Sequence, residues 1–188
     1  MPSLPSSNLV YQLKVTLKRS KPPIWRRIQV LNNTTLSKLH RILQVVMGWT
    51  DSHLHQFIVG RTFYGSPDPD FGMDIRDEKG VKLGQIVAKE KAKFVYEYDF
   101  GDSWEHEILV EKILPPVEGV RYPVCVTGKR ACPPEDCGGV WGYADLSEAI
   151  ENPDHPEHDE MLEWAGEDFD PEAFDADSIN HMLKKMSK

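Results

Sequence analysis

Residues Phe94 to Leu114 read FVYEYDFGDSWEHEILVEKIL, and the pattern of this stretch decides the fold. Phe94, Tyr96, Tyr98 and Phe100 alternate with Val95, Glu97 and Asp99. Trp104, His106, Ile108 and Val110 then alternate with Glu105, Glu107 and Glu111, with Leu109 the one apolar exception. Strand side chains point to opposite faces with a period of two. The spacing therefore predicts two strands, each with an aromatic or aliphatic face and an acidic face. Phe100-Gly101-Asp102-Ser103 supplies a tight turn, because Gly allows positive φ and Asp or Ser bonds nearby backbone. The rest of the fold is expected to pack on the aromatic face.

Upstream, Leu9 to Arg19 alternates as a strand, with Tyr11, Leu13, Val15 and Leu17 on one face. Ser20-Lys21-Pro22-Pro23 breaks it. Ile24 to Leu31 follows as a second strand, and the short link predicts an antiparallel hairpin. Leu36, Leu39, Ile42, Leu43 and Val46 then fall at helical spacing, with N-cap candidates at residues 32–35 and Gly48 as the C′ residue. Trp49 is placed to plug the core. Leu54 to Val59 and Thr62 to Tyr64 read as strands, Gly65 to Gly80 as a long loop, and Val81 to Val87 as a turn or short helix.

Downstream, Pro115 and Pro116 end the hairpin, and Pro123 to Gly142 shows little periodicity. Helices are predicted around Leu146 to Ile150, from Pro156 to Ala165, and after a capping Asp177. Strands, helix, strands and then helices predict an α+β domain. The expected sheet is mixed or antiparallel, of five to six strands, with one central helix and C-terminal helices packed on it. Residues 1–8 are expected to be a disordered terminus. Residues 9–188 are expected to form a single domain, in which 9–122 hold the sheet and central helix and 123–188 the cysteine loop and an acidic helical part.

Composition narrows the function classes. No apolar run approaches the ~18 residues of a membrane span, and the start MPSLPSSNLV has no signal-peptide pattern. Three cysteines fit a reducing cytoplasm better than a disulfide framework. The net charge of −8 is unevenly spread. Residues 1–50 hold eight Lys or Arg and no acid, whereas residues 131–183 hold sixteen acids and no Lys or Arg. Such asymmetry can mark a nucleic-acid surface, here Lys14, Lys18, Arg26 and Arg27. The plainer reading is that the two ends neutralise each other, and a pI of 5.4 favours it.

Several motifs resemble chemistry without completing it. FGDS at Phe100 to Ser103 matches the nucleophile block of GDSL-type esterases, but no Asp is followed by His three residues later. Asp99-Phe100-Gly101 spells the kinase DFG with no accompanying catalytic loop. Asp68-x-Asp70 suggests a calcium loop, but Met73 and Lys79 stand where it needs Gly and Glu. His53-Leu54-His55 on a strand would project both imidazoles from one face, an arrangement suited to a transition metal. Half-buried imidazoles bonded to backbone or to Asp51 are the plainer alternative. Cys132-Pro-Pro-Glu-Asp-Cys137 resembles half of a zinc knuckle, which His53, His55, His106 or His158 would have to complete. His106 shares its strand face with Trp104 and Ile108 and reads as a satisfied core histidine. If His106 meets His53 and His55 near Asp102, the group becomes a pocket candidate. Residues 152–158 hold two His among acids and read as a helix start.

Together, LKRSKPPIWRRIQV, LSKLHRILQVVMGW, SHLHQF, YEYDFGDSWEHEI, CPPEDCGG and NPDHPEHDEMLEWAGEDFDPEAFD resemble the Ri-plasmid open-reading-frame-three-like family. The stretches run from about Leu13 to Phe174, in the family's order. Members often carry the label of TnpR-type passenger proteins of insertion sequences. The resemblance implies an α+β domain associated with mobile elements and no established activity. Resolvase chemistry would need a Ser among several Arg, whereas Ser103 has Asp102 and Glu105 beside it.

The reading that follows is a non-enzymatic binding or accessory domain. Its working surface is built on His53, His55, Asp102, Trp104, His106 and the Cys132–Cys137 loop, with nucleic acid as a candidate partner. A metal-dependent hydrolase is the alternative, with His53, His55 and His106 as ligands and Asp102 or Glu97 as base. A third reading is a protein-interaction module using the acidic helices of residues 145–177. Zinc is the one cofactor considered, on His53, His55, Cys132 and Cys137.

Overall fold

The computed structural model describes residues 8–67, 74–166 and 168–186. The strands are β1 (Val10–Leu17), β2 (Trp25–Leu31), β3 (His55–Val59), β4 (Thr62–Gly65), β5 (Ile75–Asp77), β6 (Lys93–Tyr98), β7 (Trp104–Leu114) and β8 (Val124–Lys129). The helices are α1 (Leu36–Met47), α2 (Leu83–Ile86), α3 (Gly139–Glu151), α4 (His158–Ala165) and α5 (Ala176–Met186). The eight strands form one sheet in the order β5-β4-β3-β6-β7-β1-β2-β8. All pairings are antiparallel except β4 with β5. The class is the expected α+β, with more strands than the five to six predicted.

The alternation over residues 94–114 forms the hairpin β6–β7, with Tyr98 opposite Trp104 and Tyr96 opposite His106. Phe94, Tyr96, Tyr98, Trp104, Ile108 and Val110 are buried on one face. Phe100 is not: β6 ends at Tyr98, and Phe100 sits in the turn, 39% exposed. β1 lies beside β7 and adds Leu13, Val15 and Leu17 to the same face. Helix α1 covers that face with Leu36, Leu39, Ile42, Leu43 and Val46, all buried. Each such side chain contributes roughly 1.5–3 kcal/mol on burial. Thr35 caps α1 by accepting from the Lys38 N–H, and Gly48, at φ 89°, ends it with its N–H on the Gln44 carbonyl.

Two strands were not expected. β5 is three residues long and lies in the presumed loop. β8 is an edge strand whose alternation is broken by a bulge at Val126, and it carries Gly128 opposite Arg26. That glycine is required, because a Cβ there would lie 2.6 Å from the Phe174 ring and 2.8 Å from the Trp25 carbonyl oxygen. The sheet thus continues past residue 122 into the segment assigned to the cysteine loop. The cap of α5 is Asp175, not Asp177: its carboxylate accepts from the Asp177 and Ser178 N–H groups and from the Ser178 hydroxyl. Residues 1–7 and the acidic pair Asp68 and Asp70 lie outside the described residues.

The other face of the sheet carries the charges. Lys18 pairs with Glu105 at 2.6 Å, and Arg27 grips Glu111 through Nε (2.6 Å) and Nη2 (2.8 Å). Lys18 and Arg27 of the basic N-terminal part are therefore balanced by β7 across the sheet. Among the described residues, no helix is long and apolar enough to cross a membrane.

Candidate functional site

Three segments distant in sequence meet at one end of the sheet: residues 49–55, the β6–β7 turn and the Cys132–Cys137 loop. Trp49, just past the end of α1, is the pin. Its ring packs on Tyr98, Trp104 and His106 at centroid distances of 5.0, 5.8 and 5.2 Å. Its indole N–H donates to the Pro133 carbonyl at 3.0 Å. The Tyr98 hydroxyl donates to Glu135 Oε1 and accepts from the Ser52 and His53 N–H groups. Burial and the Glu135 carboxylate hold its proton tightly. Asp102 Oδ2 accepts from the Gly138 N–H at 3.2 Å. Gly139 is compelled here, since a Cβ at that position would lie 2.5 Å from the Asp102 carbonyl oxygen.

The side chains expected to act together are divided between two clusters. His53 precedes β3, so the period-two relation with His55 does not hold. His53 Nε2 lies 3.2 Å from Asp136 Oδ1 and 3.7 Å from Asp99 Oδ2. His55 instead stacks on His40 of α1, with centroids 3.4 Å apart and planes 4° from parallel. Each of these rings has a carboxylate partner: His40 Nε2 and Asp51 Oδ1 at 2.7 Å, and His55 Nε2 and Glu78 Oε2 at 3.0 Å. His40 Nδ1 meets the Tyr96 hydroxyl at 2.9 Å, and that hydroxyl also accepts from Gln44. Burial, then the neighbouring His55, lowers the proton affinity of His40.

His106 joins neither cluster. It is fully buried between Trp49 and Tyr96, with Nδ1 3.3 Å from the Tyr96 carbonyl oxygen. Its Nε2 finds no hydrogen-bond partner among the described residues, so it is only half satisfied. Burial pushes its pKa down to about 4. The Trp104 indole N–H, equally buried, also lacks a partner among the described residues. The expected His53, His55 and His106 constellation is therefore not assembled. Glu97, the proposed base, is engaged by Gln56 and Ser103.

The thiols are kept from the metal-capable clusters as well. Burial raises the pKa of all three, that of Cys137 to about 12 and that of Cys125 to about 11. Among the described residues, the groups close enough to share an ion are His40, Asp51, His55 and His53, Asp99, Asp136. Neither includes Cys132 or Cys137, so the four-ligand set His53, His55, Cys132 and Cys137 does not form. His40 was legible as a histidine on the core-facing stripe of a helix. Asp99 and Asp136 carried no spacing signal, because their partners lie on other segments.

Of the basic residues, Arg26 is 3% exposed and donates to the Val46, Trp25 and Lys129 carbonyls. It is a structural staple and is not available to a phosphate. Lys18 and Arg27 are ion-paired, and Lys14 lies over the Trp25 ring at 5.1 Å.

Beside the His53 cluster opens a cleft of about 440 Å³ between the thiol loop, α3 and α4. Asp136, Asp145, Glu148, Glu157 and His155 line it, with Leu146, Met161 and Trp164 as apolar surface. Four non-glycine residues at this end of the sheet hold positive φ: Asp51 (60°), Asp99 (56°), Ser103 (54°) and Asp136 (60°). Such conformations cost free energy and gather at functional sites.

The model of the plasmid pRiA4b ORF-3-like protein family matches residues 9–178. The chain belongs to this family. It is 43% identical over 180 residues to the uncharacterized protein y4hQ of Sinorhizobium fredii (strain NBRC 101917 / NGR234), covering 95% of this chain and 92% of that one. Its fold matches the crystal structure of MM3350, a protein of unknown function from Methanosarcina mazei Go1. The TM-score is 0.84 at 42% identity, over 92% of this chain and 98% of the other.

Proposed function

We propose that this protein is a non-enzymatic binding or accessory domain that holds a cationic group, a protonated amine or a Lys/Arg-rich segment of a partner. The observation that carries this is the lining of the α3–α4 cleft. Among the described residues it offers four carboxylates and no Lys or Arg, beside the half-exposed ring of Trp164. Carboxylates attract the charge, and an indole face adds a cation–π contact. The same lining repels phosphate, so nucleic acid is the less supported partner. Among the described residues, Lys14 alone of the four basic candidates is neither buried nor ion-paired. A metal-dependent hydrolase built on His53, His55 and His106 loses its support with the dispersal of those rings. Three free thiols support a reducing cytoplasm as the location, and the link to mobile elements rests on resemblance alone.

Calorimetric titration of spermine into the full chain tests the reading. Binding should weaken as salt rises, because charges near the surface are screened over ~8–10 Å. It should be lost in the double variant Asp145→Asn, Glu148→Gln, whose sites are exposed and tolerate the change. No heat with spermine or with an oligo-lysine peptide, or equal binding by the double variant, removes the proposal.

A further inference from the structure

His53, Asp99 and Asp136 come from three separate loops, and the structure points their polar atoms at one another. His53 Nε2 stands 3.2 Å from one carboxylate and 3.7 Å from the other. Neither approach makes a hydrogen bond in the geometry of the ring N–H, in contrast to the 2.7 and 3.0 Å bonds of His40 and His55. Donors ~2.0–2.2 Å from one ion stand roughly 3–3.6 Å from each other when their angle at the ion is ~90–120°. The 3.2 Å separation lies in this range, the 3.7 Å one lies just beyond it, and the three donor atoms all lie within 4.8 Å of one another, so a small closure of the loops brings them onto one ion.

The turn aims the buried carboxylate. Asp99 is 8% exposed, and its Oδ1 accepts from the Gly101 and Asp102 N–H groups. This leaves Oδ2 directed at His53. Asp136 is anchored differently: its neighbour Glu135 is tied to Tyr98 and Thr50, while its own side chain is 72% exposed and lines the cleft. The three donors therefore converge from fixed backbone and leave one side open.

We propose that His53, Asp99 and Asp136 form a binding site for one divalent transition-metal ion at the mouth of the cleft. One imidazole nitrogen and two carboxylate oxygens suit Zn²⁺ or Mn²⁺, whereas Mg²⁺ and Ca²⁺ take oxygen alone. Three protein donors leave coordination positions free for water or for a ligand from the cleft, the pattern of an open site rather than a closed structural one. The proposal does not depend on the cation reading of the cleft, although the two share Asp136.

Full-length chain stripped with chelator and titrated with Zn²⁺ and, separately, Mn²⁺ tests it, with elemental analysis after dialysis. One equivalent should bind. His53→Ala, Asp99→Asn and Asp136→Asn should each weaken it at least about tenfold, since even outer-shell changes cost that much. Asn at residue 99 keeps the acceptor that the turn needs, and residue 136 is exposed, so folding survives in both. His55→Ala and Cys137→Ser should leave binding unchanged, as should Asp145→Asn with Glu148→Gln, the pair that removes spermine. Absence of stoichiometric binding overturns the proposal. So does loss of binding in His55→Ala or Cys137→Ser with retention in His53→Ala, which would move the ion to the other cluster or to the thiols.

Discussion

Replacing His106 with Gln should remove a defined part of the acid sensitivity of this protein. The imidazole is fully buried, and burial lowers its native pKa from 6.5 to about 4. In the unfolded chain it returns to its ordinary value. Above pH ~6.5 neither state binds the proton, and the contribution of His106 is complete. Below that, the unfolded chain takes up a proton that the native state refuses. Stability then falls by about 1.4 kcal/mol per pH unit until the native group protonates near pH 4. The integrated loss is about 3 kcal/mol, a large share of the ~5–15 kcal/mol that holds a domain together. Carboxylates add their own acid dependence, so the variant is the control. His106→Gln cannot titrate and keeps a donor for the Tyr96 carbonyl. Urea unfolding of both proteins at pH 7 and pH 4.5 should show wild type losing about 2–3 kcal/mol more than the variant. Parallel losses in the two proteins would refute the reasoning, and would mean that the buried ring protonates in place.

Two further outcomes follow from packing. Gly139→Ala places a Cβ within 2.5 Å of the Asp102 carbonyl at a φ of +69°, so the thiol loop must leave the hairpin turn. Amide exchange of Gly138 should rise toward solvent values and the Trp49 environment, read by fluorescence anisotropy, should lose rigidity, with β1 and β2 unaffected. Arg26→Leu leaves the Val46, Trp25 and Lys129 carbonyls without their donor and should cost about 3 kcal/mol in chemical unfolding. It should not alter affinity for any nucleic acid, because the guanidinium is buried in the native state.

Local periodicity made most of the sheet legible. Tyr11 to Leu17 and Phe94 to Val110 alternate because one face packs on α1 and the other meets water. The stripe from Leu36 to Val46 repeats at helical spacing for the same reason. β8 escaped because a bulge at Val126 breaks its alternation, and its glycine, Gly128, answers to Phe174 across the molecule. β5 escaped because three residues are too few to show a period. Phe100 was misplaced because the period gives no signal that the strand stops at Tyr98. The capping Asp175 was missed for Asp177 because acids two residues apart look alike until backbone direction is known.

Taken alone, the amino-acid order determined which faces are apolar, where the long elements run, the class of fold and the family. Those properties depend on neighbours within a few residues, where one side chain's position follows from the last. The folded chain decided that His53 belongs with Asp99 and Asp136, that His55 belongs with His40, and that Arg26 is interior. These partnerships join side chains far apart in the chain, and their geometry depends on how loops cross the end of the sheet. A spacing of two between imidazoles could not foresee it, because β3 begins only at the second of them.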